Sequence, residues 1–380
     1  MQNPDAIVIG AGIVGASCAL SLTNAGLRVL VIDRGAVSSG TTGAGEGNIL
    51  VSDKDPGPEL TLALRSRDLW FEMQEDVGDS FELEAKGGVV VARRDDAPLM
   101  KLADEQSRHG VTIEKLNHAS LHELEPFLHQ DFHSGVLYPQ DAQCQPMLAA
   151  AHVIRTVISR GGSFVSQAKV TRISVENGAV QGVETTQGTF KAPLIINATG
   201  TWAGELAELA GSHLPIAPRK GFILVTEPTK KYIFHKVYDS DYVANVASSD
   251  ADLQTSTVVE GTRSGTILIG ASRERVGFDG SMNYEILRKL ADQATSLFPV
   301  LRDVQLLRAY RGFRPYAPDH LPVVGEDAQV KGLWHSAGHE GAGIGLAPGS
   351  AALITDAILG KPSFMDASPF SPRRFAMVKN

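Results

Sequence analysis

A glycine motif placed between two short apolar runs constrains this chain more than any other feature. Ala6–Ile9 is typical of a buried strand, and Gly10, Gly12 and Gly15 follow it in the pattern G-x-G-x-x-G. The residues after the motif predict a helix that ends at Gly26. Small side chains on that helix allow it to lie close to a sheet.

Each part of this segment has a physical task in binding a dinucleotide. Gly10 allows a tight turn, Gly12 leaves room for a pyrophosphate, and Gly15 lets helix and strand pack closely. The helix N-terminus offers N–H groups and a positive dipole end. A second strand, Arg28 to Ile32, ends on Asp33, which is placed to accept hydrogen bonds from ribose. A glycine turn without a ligand is the alternative, and the order of strand, helix, strand and acid favours a nucleotide site.

Composition excludes several other classes of protein. The 380 residues are 43% hydrophobic and 21% charged, which suits one large domain or two entwined ones. A net charge of −8 without long basic runs argues against nucleic acid and anionic membrane as partners. The two cysteines, Cys18 and Cys144, provide neither a disulfide framework nor a metal site. That count suits a reducing compartment, and we expect a cytoplasmic protein.

The apolar run from Ala6 to Leu22 resembles a membrane span or a signal peptide at first sight. Small residues interrupt it, no basic segment precedes it, and it is short for a span of about 20 residues. We therefore interpret it as part of a soluble fold and predict no membrane span.

The periodicity of apolar residues divides the chain into a mixed part and a β-rich part. The predicted helices are Glu59–Val77, Ala97–His109, Ala119–Leu124, Pro146–Arg160 and Asn283–Leu297. The predicted strands are Phe81–Leu83, Gly87–Ala92, Ser134–Tyr138, Leu194–Ile196, Leu306–Phe313 and Gly332–His335. Turns at Asn177-Gly178 and Gln187-Gly188 predict a meander of hairpins, and Leu214 to Gly270 reads as mostly antiparallel sheet.

A second glycine segment, near the end of the sequence, carries Gly341, Gly343 and Gly345. It predicts a helix from Gly343 to Ile358, and Pro348 is expected near its first turn. Such a helix start stabilises negative charge. A flavin becomes anionic at its N1–C2=O edge on reduction, whereas nicotinamide loses charge, so this segment favours FAD over NAD. A close contact between helix and strand is the alternative explanation for these glycines.

Five motifs in this order resemble the D-amino-acid oxidase type of FAD-dependent oxidoreductases, which includes glycine and sarcosine oxidases. They are "IVIGAGIVG…VIDR", "SSGTTGAGEGNIL", "IINATGTWAGEL", "RGFRPYAPDHLPVVG" and "GLWHSAGHEGAGIGLAP". Within this family the chain is most similar to β-subunits of bacterial D-hydroxyproline dehydrogenase, opine oxidase and hydrogen cyanide synthase. The resemblance implies partner subunits of an electron-transfer complex.

The fold implied is α/β + β: a Rossmann-type FAD-binding domain interleaved with an antiparallel-sheet substrate domain. The FAD-binding domain would comprise residues 1–84, 140–213 and 320–380. The substrate domain would comprise residues 85–139 and 214–319.

Motif and resemblance together predict the residues that contact FAD. Thr41 to Asn48 would follow the flavin and ribityl chain, Val170 the adenine, and Thr199 to Trp202 the pyrophosphate. The flavin carbonyl edge would face Gly341 to Gly345. The full set is Gly10, Gly12, Ile13, Gly15, Asp33, Arg34, Thr41, Thr42, Glu46, Gly47, Asn48, Val170, Thr199, Gly200, Trp202, Gly341, Gly343, Ile344 and Gly345.

Arg314 and His339 are the predicted catalytic residues. By the resemblance, Arg314 of "GFRP" clamps a substrate carboxylate, and the alternative is an ion pair with Asp319. His339 either lines the site or is a packed, hydrogen-bonded histidine.

Three further charged residues, Glu260, Arg263 and Arg273, either reach the cavity or belong to a solvated face of the sheet. The chain departs from glycine-oxidase-like members at Gly341, where these carry a second arginine. No cysteine follows Cys144, so a thioether link near "RP" is excluded and FAD is expected to bind non-covalently.

The function implied is oxidation of an amino acid or secondary amine, of the D-amino acid, hydroxyproline, sarcosine or opine type. Hydride would pass from the α-carbon to flavin N5, and the resulting imine would hydrolyse. The alternatives are oxidation of a 2-hydroxy acid on the same fold, or a flavin subunit that only relays electrons.

Overall fold

The computed structural model describes residues 3–93, 95–240 and 253–375. In this part of the chain the strands are β1 Ala6–Ile9, β2 Val29–Ile32, β3 Asn48–Ile49, β4 Gly88–Ala92, β5 Glu114–Asn117, β6 Ser134–Tyr138, β7 Ala142–Gln143, β8 Ser163–Val165, β9 Val170–Glu176, β10 Ala179–Thr185, β11 Gly188–Lys191, β12 Leu194–Asn197, β13 Ala217–Thr226, β14 Lys236–Asp239, β15 Gln254–Gly261, β16 Ile267–Arg273, β17 Leu306–Tyr316, β18 Val323–Glu326 and β19 Leu333–Ala337. The helices are α1 Ile13–Asn24, α2 Pro58–Val77, α3 Ala97–Ser107, α4 His118–Leu124, α5 Pro146–Ser159, α6 Ala203–Glu208, α7 Tyr284–Leu297 and α8 Gly343–Ile358.

A six-stranded sheet joins the two ends of the sequence. Its order is β18-β19-β12-β1-β2-β8, and only the pair of β18 and β19 is antiparallel. Every residue of β1 and β2 is buried, as expected for parallel strands covered on both faces. The dinucleotide-binding half predicted at both ends of the chain is therefore a single sheet.

An eight-stranded sheet forms the second layer, in the order β17-β13-β16-β15-β14-β4-β6-β5. The predicted antiparallel arrangement holds for every neighbouring pair except β4 and β14, which run parallel. These two strands come from distant parts of the chain, so no hairpin fixes their direction.

The longest ladder in this sheet pairs β13 with β17, from Ala217 opposite Tyr316 to Thr226 opposite Leu306. The strand predicted to end at Phe313 therefore continues to Tyr316, and Arg314 lies on it.

A three-stranded meander of β9, β10 and β11 confirms the predicted hairpins. Asn177 and Gly178 have φ values of 51° and 76°, the left-handed pair that a two-residue type I′ turn requires.

One predicted strand differs from the structure. Phe81–Leu83 is not a strand, and only Glu84 forms an isolated bridge, with Gln143. The antiparallel run predicted from Leu214 to Gly270 includes residues 241–252, which lie outside the described residues. Strands of the two large sheets fall within the segments predicted for the two domains, and the boundaries themselves stay a prediction.

Helix α8 begins at Gly343 as predicted, but Pro348 is its sixth residue and lies beyond the first turn. Proline has no N–H to donate to the carbonyl of Ile344. Helix α2 supplies donors instead: Trp70 Nε1 donates to Ile344 O at 3.0 Å, and Ser66 Oγ to Gly345 O at 2.6 Å. Side chains of α2 thus provide hydrogen-bond donors for two carbonyl groups in the first turn of α8.

The segment Glu340–Ile358 is long and apolar enough to cross a membrane, with a mean hydropathy of 1.2, and 61% of it is buried. It packs against α1 and α2 inside the protein. Burial of this kind is typical of a core helix. Ala6 to Leu22, the other apolar run, forms β1 and most of α1.

Candidate active site

A cavity of about 500 Å³ lies between the carboxyl edge of the six-stranded sheet and strands β13 and β17 of the eight-stranded sheet. Most predicted site residues line it: Gly10, Gly12, Ile13, Asp33, Arg34, Thr41, Thr42, Glu46, Asn48, Val170, Thr199, Gly200, Trp202, Arg314, His339, Gly341, Gly343 and Ile344. Residues more than 300 positions apart in sequence thus share one wall.

Three predicted residues, Gly15, Gly47 and Gly345, do not line the cavity. They permit close packing of the backbone next to it. A Cβ on Gly15 would meet Gly10 O at 1.9 Å, and one on Gly47 would meet Cys144 O at 1.8 Å. A Cβ on Gly345 would stand 3.3 Å from Ile49 Cα. Their contact with FAD stays a prediction.

The glycine turn and the start of α1 form one part of the cavity wall. Gly10 has φ +113°, and a Cβ there would meet Ala198 O at 2.3 Å, so only glycine fits the turn. Helix α1 begins at Ile13 without a side-chain cap, and Ile13 N donates to Thr42 Oγ1 at 3.0 Å. Asp33 Oδ2 accepts from Ala11 N at 2.7 Å, which holds the carboxylate beside the turn.

An aromatic side chain, Trp202, also lines the cavity. The Arg34 guanidinium lies 3.8 Å from the centroid of a Trp202 ring. Trp202 stacks on Phe278, with ring centroids 5.4 Å apart and planes 8° apart. Trp202 also covers Gly40, where a Cβ would stand 3.3 Å from its ring.

The start of α8 also lines the cavity, close to Val14 of α1. A short 3-10 turn, Glu340–Ala342, leads into the helix, whose N-terminus has no side-chain cap. His339 lies beside it with only 3% exposure, and Nε2 is 2.9 Å from Ser350 Oγ. Burial lowers the pKa of His339 to about 4, so the ring is neutral at physiological pH.

Arg314 projects from β17 into the cavity, close to the start of α8. Its Nη1 donates to Ser272 O at 2.7 Å, and its Nε lies near Gly341, where a Cβ would stand 3.6 Å away. Asp319, the alternative partner, instead binds Arg374 at 2.6 Å. The guanidinium is therefore fixed within the cavity wall.

The comparison with known families decides what the cavity binds. Residues 5–357 match the model of the FAD dependent oxidoreductase family, DAO. The chain belongs to the DAO family. The predicted family, fold class and FAD cofactor are confirmed, and the glycine-lined cradle at Gly10 and Gly12 fits the dinucleotide.

Relatives of the same length support this membership. The glycine oxidase of Geobacillus kaustophilus (strain HTA426) is 28% identical, and the alignment covers 97% of each chain. Hydrogen cyanide synthase subunit HcnC of Pseudomonas aeruginosa is 27% identical, over 98% of this chain and 96% of the relative.

Solved structures share the fold. L-proline dehydrogenase from P. horikoshii has a TM-score of 0.89 at 24% identity, covering 99% of this chain and 98% of that one. Glycine oxidase from Geobacillus kaustophilus has a TM-score of 0.86 at 25% identity, covering 98% of each.

Sequence reasoning missed three glycines on the eight-stranded sheet of this DAO-family enzyme: Gly221, Gly270 and Gly312. A Cβ on Gly221 would meet Arg314 Nη1 at 2.2 Å, and one on Gly312 would meet Ala44 Cβ at 2.7 Å. They let Arg314 and the segment around Ala44 and Glu46 approach the sheet closely. Glycine inside a strand marks close approach and could have identified them.

The charged residues on the sheet divide between the interior and the surface. Glu260 and Arg273 are buried, with 1% and 3% exposure, so they do not form a solvated face. The Arg263 side chain is 43% exposed and pairs with Glu84 at 3.3 Å. Lys236 Nζ bonds Glu260 Oε2 at 3.0 Å and also Asn48 Oδ1, which lines the cavity.

Proposed function

We propose that this enzyme oxidises an amino acid or a secondary amine at its α-carbon, giving an imine that water hydrolyses. The position of Arg314 carries the proposal. Its guanidinium lies in the wall of the FAD cavity beside the start of α8, held by Ser272 O at 2.7 Å. A guanidinium binds a carboxylate through two parallel hydrogen bonds, which orients the carbon next to that carboxylate.

The two helix starts in the cavity wall would have different tasks. The positive end of α1, beside Gly12, would hold the phosphates of FAD, which supplies the hydride acceptor when bound. Backbone N–H groups at the start of α8, around Gly343, would stabilise negative charge close to Arg314. Cys18 and Cys144 are buried and do not line the cavity, which supports non-covalent binding of FAD.

The names of the relatives support an amine substrate. They include glycine oxidases from Geobacillus kaustophilus and Pseudomonas putida, at 28% and 26% identity. Glycine carries its nitrogen on the carbon next to a carboxylate, which is the arrangement that an arginine clamp at the cavity would present for oxidation.

We further propose that the enzyme works in the cytoplasm with partner subunits that receive its electrons. One relative, HcnC of Pseudomonas aeruginosa, is named as a subunit. Both cysteines are free and buried, in keeping with a reducing compartment.

Anaerobic reduction of the bound flavin tests the proposed function. The visible spectrum of the purified holoenzyme is recorded while sarcosine, D-proline, 4-hydroxy-D-proline, octopine and lactate are added in turn. Loss of the flavin band at about 450 nm with an amino acid, and not with lactate, is the expected result. Bleaching by lactate alone would identify a hydroxy-acid oxidase. A band that survives every addition would favour a relay subunit and contradict the proposal.

A further inference from the structure

The segment 274–283, between β16 and α7, places an aromatic ring against the outside of the FAD cavity. Phe278 does not line the cavity, and 42% of it is exposed to solvent. Its ring stacks on Trp202, with centroids 5.4 Å apart and planes 8° apart. It also contacts Phe313, with centroids 5.4 Å apart and planes at 68°. Trp202 and Phe313 both line the cavity, so Phe278 supports two residues of its wall from outside.

Packing into the core does not explain the position of this ring. In the described part of the chain, Phe278 belongs to none of the hydrophobic core clusters. Parallel stacked and edge-on contacts are the two arrangements that aromatic pairs prefer, and Phe278 makes one of each. Both contacts are with residues of the cavity wall. The ring is therefore placed to hold that wall.

Trp202 in turn holds a charged residue at the cavity. The Arg34 guanidinium lies 3.8 Å from the centroid of a Trp202 ring, which is within the range of a cation–π contact. Arg34 is exposed and lines the cavity, so a bound dinucleotide can reach it. It follows Asp33, whose carboxylate is bound beside the glycine turn. The guanidinium is thus available to the anionic part of FAD.

A buried lysine fixes the segment 274–283 to the eight-stranded sheet. The Lys220 side chain of β13 is only 2% exposed, and its Nζ lies 2.8 Å from Asp279 Oδ2 and 3.6 Å from Glu274 Oε1. The backbones of Lys220 and Glu274 also exchange two hydrogen bonds, of 2.9 and 3.0 Å. Burying an ammonium group is costly unless it is paired. Both of these carboxylates belong to the segment, so their pairing with Lys220 holds it in place.

We propose that Phe278 is a positioning residue for FAD. Its ring keeps Trp202, and through Trp202 the Arg34 guanidinium, against the dinucleotide, and Lys220 anchors the segment that carries it. The consequence is slower release of FAD from the enzyme.

The dissociation rate of FAD from the holoenzyme tests this role. The holoenzyme is diluted without substrate, and release is followed through the flavin fluorescence. Phe278→Ala should accelerate release about three- to tenfold, the equivalent of one aromatic pair. Phe278→Tyr keeps the ring and should release FAD at the wild-type rate. Phe364→Ala is the matched control, because Phe364 is similarly exposed, at 38%, and does not line the cavity.

Two further variants separate this role from a general loss of stability. In a Trp202→Leu background, Phe278→Ala should have no further effect on release, because the residue through which it acts is gone. Asp279→Asn removes the carboxylate nearest to Lys220 Nζ and should also accelerate release. If Phe278→Ala is isolated without flavin, Phe278→Leu is measured in its place.

Three results would overturn the proposal. They are release from Phe278→Ala at the wild-type rate, an equal acceleration in Phe364→Ala, and a Phe278→Ala effect that persists in full without Trp202. Release from Asp279→Asn at the wild-type rate would exclude Lys220 as the anchor. Because no substrate is present, each of these outcomes leaves the proposed function unaffected.

Discussion

Arg314 shows at the residue scale why an arginine, and not any cation, belongs in this wall. Its side chain lies over Gly221 and is fixed by Ser272 O at 2.7 Å. The guanidinium is planar, and a carboxylate matches its geometry with two parallel hydrogen bonds.

Arg314→Lys should therefore lower kcat/KM about ten- to hundredfold, since a charge-assisted pair contributes about 1.5–3 kcal/mol. Steady-state kinetics with the best substrate measures the change. Arg308→Lys, at an exposed position of the same strand, is the control and should have little effect. Equal losses in both variants would remove Arg314 from the site.

His339 gives a pH dependence to stability. Burial lowers its pKa to about 4 from the ordinary 6.5. The unfolded chain therefore binds more protons between these values, and stability present above pH 6.5 is lost as the pH falls towards 4. The shift corresponds to about 3 kcal/mol.

Substituting this residue should flatten that dependence. Urea unfolding of His339→Asn between pH 4 and pH 7 should show a smaller loss of stability on the acid side than the wild type. His109→Asn, at an exposed position, should follow the wild type. An unchanged acid slope in His339→Asn would contradict the buried neutral imidazole. Its catalytic role stays a prediction.

Helix α8 shows at the scale of elements how one helix depends on another. Pro348 cannot donate to Ile344 O, and Trp70 Nε1 of α2 does so at 3.0 Å. The carbonyl is buried at the end of the helix that faces the cavity. The position of this helix start is therefore set by α2 as well as by its own glycines.

Trp70→Phe should destabilise the protein by about 1–3 kcal/mol, because it leaves the carbonyl of Ile344 without a donor. Pro348→Ala provides an N–H from the helix itself. The double variant should therefore recover part of the loss, and chemical unfolding of all four proteins gives the coupling energy. Purely additive effects would show that the indole acts by packing alone.

At the scale of the whole molecule, bound FAD would contact both large sheets. The FAD cavity lies between the six-stranded and the eight-stranded sheet, and its walls come from both. A ligand at this position binds only the folded chain, so it stabilises the fold by mass action.

The unfolding temperature should therefore rise with the FAD concentration, by the equivalent of about 2.7 kcal/mol at a hundred times the dissociation constant. Gly12→Val should abolish the dependence, because a Cβ there already stands 2.9 Å from Thr42 Oγ1 beside the start of α1. Ser159→Ala, at the exposed end of α5, should retain it. Thermal scans of apoprotein with added FAD measure both, and a dependence that persists in Gly12→Val would place the cofactor elsewhere.

Local patterns were sufficient for much of this protein. The strand–glycine–helix order at Gly10 to Gly15, the turn at Asn177-Gly178 and the helix from Gly343 to Ile358 depend on backbone preferences and spacing within short segments. Such preferences are properties of the residues themselves, so the sequence alone determined the nucleotide-binding half and the family.

Tertiary structure decided what depends on contacts between distant segments. The parallel pairing of β4 with β14, the donors that α2 gives to the turn around Pro348, and the glycines under Arg314 have no local signal. The same holds for the burial of Glu46, whose Oε1 has no hydrogen-bond partner among the described residues. Burial and unsatisfied hydrogen bonds arise from the packing of remote parts of the chain, and no short stretch of sequence contains that information.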